Sequence, residues 1–247
     1  MLGTLKRAGD VLDLFTVEEP EWGVTATAQR LGIGKSLAHD VLTSLAAIGL
    51  VQRVGHGRYR LGWRNISLAS VLLRTNELRA QSRPVLRDLV ERQGIAVSLV
   101  AWDRRQIIYI DRRQNVRTCA SPGPAAGTAV SIDGRAASKV LMASRPNDEI
   151  RALWGGGFVR TRHNSLDELE LDLERIRLHG WAGDEPDEAL AGSAVAAPVR
   201  DADGAVAAAI SLDLSECCRI TDVHMQAQVA VAAASRISNA IRDCVLH

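Results

Sequence analysis

The sequence predicts an α+β fold, and three observations carry that prediction. The first 62 of the 247 residues read as helix, helix, turn, helix and basic hairpin; from Ile95 the apolar period changes from helical to two; and helices stand before and after the strands that follow. An N-terminal winged helix-turn-helix, a linker helix and a C-terminal antiparallel sheet with flanking helices satisfy all three. The expected divisions are 1–62, 63–76 and 77–247.

Leu5, Ala8, Leu12 and Phe15 recur at helical spacing and predict a first, supporting helix, closed by a loop in which Glu18, Glu19 and Glu21 surround Pro20. Val24 to Leu31 predicts a short second helix, ended by the Gly32-Ile33-Gly34 turn. The third helix places Leu37, Val41, Leu45 and Ile48 on one stripe and Ser36, His39, Asp40 and Thr43 on the other side, with Lys35 at its start and Gly49 beyond its last apolar residue. Short hydrogen-bonding groups beside a lysine suit a major groove, where base edges offer donors and acceptors and phosphates line the rim. Val51 to Val54 and Arg58 to Leu61 are β-prone runs joined by Gly55-His56-Gly57, so that Arg53, Arg58 and Arg60 lie on a wing.

Charge supports a nucleic-acid role for this segment. The chain carries a net charge of only +1, yet between Trp22 and Thr75 stand Arg30, Lys35, Arg53, Arg58, Arg60, Arg64 and Arg74 against Asp40 alone. The basic field is concentrated at the motif, as expected of a near-neutral chain that binds double-stranded DNA through one module. Gly34-Lys35-Ser36 resembles the end of a phosphate-binding loop, but the position of that motif's first glycine is Gln29 and a helix precedes it, so nucleotide binding is not expected.

Trp63 to Leu73, with Ile66, Leu68, Ala69 and Leu72, predicts the linker helix. Leu78 to Gln93 predicts a longer amphipathic helix with Leu78, Val85, Leu86, Leu89 and Val90 facing a core, and Pro84 marking a start or a kink. Ile95 to Trp102 and Gln106 to Asp111 form a hairpin about Asp103 to Arg105. A Gly/Pro/Ala loop spans Ser121 to Gly127, a helix Asp133 to Ala143, and another follows Asn164 with Leu166, Leu169, Leu173 and Ile176. Two strands, Ser193 to Arg200 and Ala205 to Leu214, flank Asp201-Ala202-Asp203-Gly204, and a closing helix runs from Thr221 to Asp243.

Composition narrows the function classes. No apolar run reaches membrane-spanning length and Met1 to Arg7 lacks the apolar region of a secretory signal, so a cytoplasmic protein without membrane contact is expected. Cys119, Cys217, Cys218 and Cys244 contain no C-x-x-C pair, and the six histidines lack zinc-binding spacing; no metal and no cofactor are expected.

Taken together, the chain resembles the IclR family of bacterial transcription regulators over nearly its whole length. The resemblance rests on Thr4-Leu5-Lys6-Arg7-Ala8, Gly34-Lys35-Ser36 through Gly49-Leu50-Val51, Arg58-Tyr59-Arg60-Leu61-Gly62, Ser138-Lys139-Val140-Leu141-Met142-Ala143, and Gly180-Trp181 through Glu188-Ala189-Leu190-Ala191-Gly192 to Ala196-Ala197-Pro198-Val199-Arg200. It implies a GAF-like C-terminal domain that binds a small organic effector, and homodimers or dimers of dimers on palindromic operators beside catabolic genes, repression being the expected mode. It also implies an effector pocket at Ala136, Ala137, Ser138, Glu185, Ser193, Val195, Ser211 and Asp213.

Three positions depart from the family pattern. Asp40 stands where arginine is usual, and would either read a cytosine amino group or pair with a neighbouring arginine; Ser138 replaces a glycine and adds a hydroxyl to the pocket wall; Asp213 replaces a small hydroxylated residue. Two buried acids, Glu185 and Asp213, would oppose an anion unless one is protonated or paired with arginine, which points to a neutral or cationic effector such as an amine, amide or hydrazide. Two rival readings remain: a sensor acting on a partner protein, its helix-turn-helix serving dimer contacts, and an enzyme using Asp184, Glu185, Asp187 and Glu188 as acid and base. The latter carboxylates lack a nucleophile, metal set or histidine at motif spacing, so catalysis is not expected.

Overall fold

The computed structural model describes residues 3–115, 123–184, 193–214 and 223–245. The chain divides into two compact units, Met1–Thr75 and Asn76–His247.

The first unit contains α1 (Gly3–Leu12), β1 (Glu21–Gly23), α2 (Val24–Leu31), α3 (Lys35–Ala47), β2 (Val51–Arg53), β3 (Arg58–Leu61) and α4 (Arg64–Thr75). Val11, Val41, Leu42, Leu45, Val51 and Tyr59 form its core, with Leu12, Phe15 and Leu37 packed at the edge. The buried stripe of α3 is Ala38, Val41, Leu42 and Leu45, so Ile48 lies outside it and remains exposed. The helix ends as its glycine requires: Gly49 takes φ 77°, its N–H donates to the Ala46 carbonyl, and the Leu50 N–H donates to that of Leu45.

The wing gains a strand that was expected to be loop. The sheet order is β1-β3-β2, with Trp22 opposite Tyr59 and Glu21 opposite Arg60. Buried Trp22 donates its indole N–H to the Leu14 carbonyl at 2.9 Å, which fixes the backbone of β1 alongside β3. The wing is tied back onto α3 by Gly62, whose N–H donates to the Leu50 carbonyl, and by Asn65, whose amide donates to the carbonyls of Leu50 and Gly62.

In the second unit, α5 (Glu77–Gln93) starts at Asn76, whose side-chain oxygen accepts the Arg79 N–H. It runs through Pro84, which lies on its exposed side; a proline in a helix interior leaves one carbonyl without its intrahelical donor, and water can serve that carbonyl here. A seven-stranded sheet follows in the order β7-β6-β5-β4-β10-β9-β8, namely Val159–Arg160, Ala129–Asp133, Gln106–Arg113, Ala96–Asp103, Val206–Asp213, Ala194–Arg200 and Ala182–Gly183. Its pairs are antiparallel except β6 with β7.

On one face α5 and α9 (Val223–Val245) cover Val97, Leu99, Val195, Ala197, Val199, Ala208, Ile210 and Leu212. The other face, with Val100, Ala194, Ala196 and Ala209, packs against α6 (Ala136–Ala143), α7 (Asn147–Gly155) and α8 (Leu166–His179). The helix expected over 133–143 is therefore shorter, with β6 supplying its first residue, and α7 is an element the sequence reading did not contain. Between Leu99 and Val100 the β4–β5 register shifts, pairing Leu99 with Asp111 but Val100 with Tyr109. The bulge at Ile110 resets the alternation, so Tyr109 and Arg112 share the face that lies under α6.

Candidate nucleic-acid interface and effector site

The outer side of α3 presents Lys35, Ser36, His39, Asp40 and Thr43, all exposed. These are the five helix residues that the sequence singled out. Asp40 lies 3.7 Å from the His39 ring rather than against an arginine, in a solvent-open pair that leaves its carboxylate accessible.

The wing arginines are more constrained than sequence suggested. Arg58 donates to the Glu21 carbonyl at 2.9 Å and stands 3.6 Å from that residue's carboxylate. Arg60 lies opposite Gln52, whose side-chain oxygen, turned toward it, accepts from Nη2 at 2.9 Å. Arg53, on the edge strand β2, is exposed. At the tip His56 adopts φ 60°, ψ 27° between two glycines.

In the second unit, cross-strand register builds a polar row beneath α6. Ser211 on β10 pairs with Ala196 on β9 and with Ser98 on β4, and Ser98 pairs with Arg112 on β5. The Arg112 guanidinium, 15% exposed, donates to the Ser98 hydroxyl at 3.0 Å and to the Gln114 side-chain oxygen at 3.3 Å, and lies 3.5 Å from the Asp213 carboxylate. The Gly123 backbone rests on that guanidinium so closely that any side chain at 123 would collide with it. Tyr109, one step along the same face, has its phenol pushed above the usual value by burial.

Asp184 closes one end of the site. Its carboxylate accepts the backbone N–H groups of Ala136, at the start of α6, and of Ala194, at the start of β9, and stands 3.7 Å from Arg135. Burial nevertheless raises its pKa above the ordinary carboxylate value, outweighing the charge-favouring backbone donors and Arg135. The buried Lys139 ammonium is held 3.3 Å from Asp172, which also meets the His163 ring at 3.3 Å.

Of the pocket residues implied by the resemblance, Ser211 and Asp213 lie on this face, and Ala136 and half-buried Ala137 open α6 above it. Ser138 is buried, but its hydroxyl donates to Asp133 at 2.6 Å and is therefore a brace for the loop before α6, not a bare addition to the wall. Val195 does not join them: the strand's alternation turns it into the core beneath α5 and α9, on the sheet face opposite Ser211. Ser193 is half-buried and gives its carbonyl to the Leu214 N–H. Glu185 lies outside the described residues. Sequence reasoning missed Ser98, Tyr109 and Arg112. A serine inside the alternating β4 run was a signal, but the Ile110 bulge hid the face that Arg112 occupies.

Comparison with known proteins bears on both units of the chain. Residues 4–55 match the model of the IclR helix-turn-helix domain, and residues 70–239 match that of the bacterial transcriptional regulator IclR C-terminal domain. The chain belongs to the IclR family. Among IclR-family relatives, it is 30% identical to the HTH-type transcriptional regulator BhcR of Paracoccus denitrificans, over 94% of this chain and 84% of that protein. It is 27% identical to the transcriptional repressor IclR of Escherichia coli, over 89% of this chain and 82% of that protein. An IclR homolog from Microbacterium hydrocarbonoxydans, solved in complex with 4-hydroxybenzoate, superposes with a TM-score of 0.72 at 21% identity, covering 98% of this chain and all of that one. As an IclR-family protein the chain is a DNA-binding transcriptional regulator. Among the described residues no helix is long and apolar enough to cross a membrane.

Proposed function

We propose that this regulator is a cytoplasmic repressor that binds a palindromic operator through α3 and the wing, and that an organic effector seated on the Arg112 face alters that binding. It acts without catalysis or a cofactor.

The single observation that carries this reading is the junction at residues 111 and 112 of β5. Arg112 belongs to the polar row under α6, whereas its neighbour Asp111 is buried on α5, 3.5 Å from Arg79 and 4.0 Å from Arg83. The Asp111 carboxylate also accepts the Arg112 N–H at 2.9 Å. A ligand that moves Arg112 therefore acts on the first two turns of α5, the helix that follows the linker α4 in the chain. Regulation requires that the effector bind the DNA-competent and incompetent states unequally.

Pairing with Arg112 changes the expected effector chemistry. Asp213 no longer stands as an uncompensated acid, so the reason for preferring a cationic ligand falls away. An effector with an anionic or neutral acceptor for Arg112 and a donor for Asp213 fits the balanced pair, and the aromatic acid held by the Microbacterium hydrocarbonoxydans homolog supports that class.

A second copy of the chain is the partner supported for α4. None of its side chains is buried, and Ile66, Leu68, Val71 and Leu72, with Trp63 just before it, leave large apolar surfaces exposed.

The test is fluorescence anisotropy of the full chain on DNA upstream of its own gene, beside a scrambled duplex at fixed salt, with and without 4-hydroxybenzoate and its amide. Tight preferential binding that one ligand shifts, and that Arg112→Met makes unresponsive, is the expected result. Equal affinity for both duplexes overturns the operator reading.

A further inference from the structure

One acid stands on the outer side of α3, in the middle of an otherwise basic stretch. Between Trp22 and Thr75 it is Asp40 alone against seven arginines and lysines. At helical spacing Asp40 falls with Ser36, Thr43 and Ala47 on the stripe opposite the buried Ala38, Val41, Leu42 and Leu45, while Lys35 and His39 lie to one side of it. Its side chain therefore points straight away from the core.

The carboxylate serves nothing within the first unit. Among the described residues its ion-pair partner is the His39 ring, 3.7 Å away and beyond hydrogen-bond reach, and the two side chains are 70% and 60% exposed. The helix is capped by Gly34, so Asp40 is no cap, and in a helix interior aspartate is a poorer former than alanine. On a DNA-facing side the charge is also unfavourable toward phosphates. An acid that costs the helix and repels the DNA backbone needs a partner on the base edges.

Base chemistry narrows that partner. In the major groove guanine presents the acceptors N7 and O6, and thymine the acceptor O4 beside a methyl group, all of which a carboxylate opposes. Adenine sets its N6 donor next to the N7 acceptor, whereas cytosine presents its N4 amino group with no acceptor of its own beside it. We propose that Asp40 is a specificity-determining residue of α3, accepting a hydrogen bond from a cytosine N4 amino group and so requiring a C·G pair at one position of the operator. Its charge acts mainly by exclusion, lowering affinity for every duplex that lacks the amino group at that position. This rests on the reading of α3 as the helix that meets the operator.

The experiment is in vitro selection from a random duplex pool with the full chain and with Asp40→Asn and Asp40→Ala, followed by anisotropy at fixed salt on the selected site and its single-pair substitutions, beside the Tm of each protein. Wild type is expected to select a C·G pair at one position and to lose at least about 5-fold in affinity when that pair is replaced. Asp40→Asn, whose amide suits adenine N6 and N7, should move the selected pair to A·T. Asp40→Ala should relax that position alone and bind the mismatched duplexes more tightly than wild type does, with Tm kept or raised. If Asp40→Ala selects the same base as wild type at every position, Asp40 reads no base and the proposal fails while the assignment of α3 to DNA stands. If wild type selects no sequence at all, that assignment fails and the proposal with it.

Discussion

At the scale of single residues, Asp184 shows how one carboxylate can tie two elements together. It joins two elements far apart in sequence by accepting the N–H groups of Ala136 and Ala194. Asp184→Asn presents an amide N–H₂ to one of those donors and is expected to cost about 1–2 kcal/mol at neutral pH, read by urea unfolding. The pH dependence follows from the raised pKa. A folded-state value above the ordinary 3.8 means that the folded chain holds this proton more tightly than the unfolded one. This group's contribution is therefore most favourable below about 3.8 and is lost as pH rises through the folded value. The stability gap between wild type and Asp184→Asn should widen as the pH falls from 6 toward 4; a constant gap would remove Asp184 from the titration. Of the candidate site, Ser211 and Asp213, which the resemblance implies, share the sheet face of Ser98 and Arg112. Val195 does not share it, because membership of a strand says nothing of which side a residue faces until the register is known.

At the scale of elements, the recognition helix was legible because its boundaries are written in residues: an apolar stripe, then Gly49 in the left-handed conformation. Two other elements were not. β1 has three residues and α7 buries only Ile150 and Leu153, so neither carries a repeating apolar pattern that separates it from loop, and β1 is fixed by the burial of Trp22. The joint between α3 and the wing depends on Gly62 for a reason only packing reveals. A Cβ at Gly62 would stand 2.2 Å from the Gly49 carbonyl oxygen and 3.0 Å from its carbon. Backbone cannot swing aside as a side chain can, so Gly62→Ala should lower the stability of the first unit by about 2 kcal/mol or more and weaken operator binding with it. Urea unfolding followed by hydrogen exchange of the first unit's amides checks the first effect and anisotropy the second.

At the scale of the whole molecule, α4 buries none of its side chains and leaves Ile66, Leu68, Val71 and Leu72 exposed. Val71 is 62% and Leu72 63% exposed. The double substitution Val71→Glu, Leu72→Glu should leave each unit folded, since neither side chain enters a core, while shifting sedimentation from an oligomer to the monomer and lowering operator affinity. Unchanged sedimentation would remove α4 from the interface. The sequence by itself determined the order of the principal helices and the two main hairpins, the basic character of the first unit and the residues on the outer side of α3, because helical period, charge and glycine stops are local properties. Only the tertiary structure decided that Arg112 meets Ser98 and Asp213, that Val195 does not join them, and that Arg58 and Arg60 brace the wing. Those outcomes depend on strand register and one bulge, which arise from pairing between distant segments and leave no periodic trace in the chain.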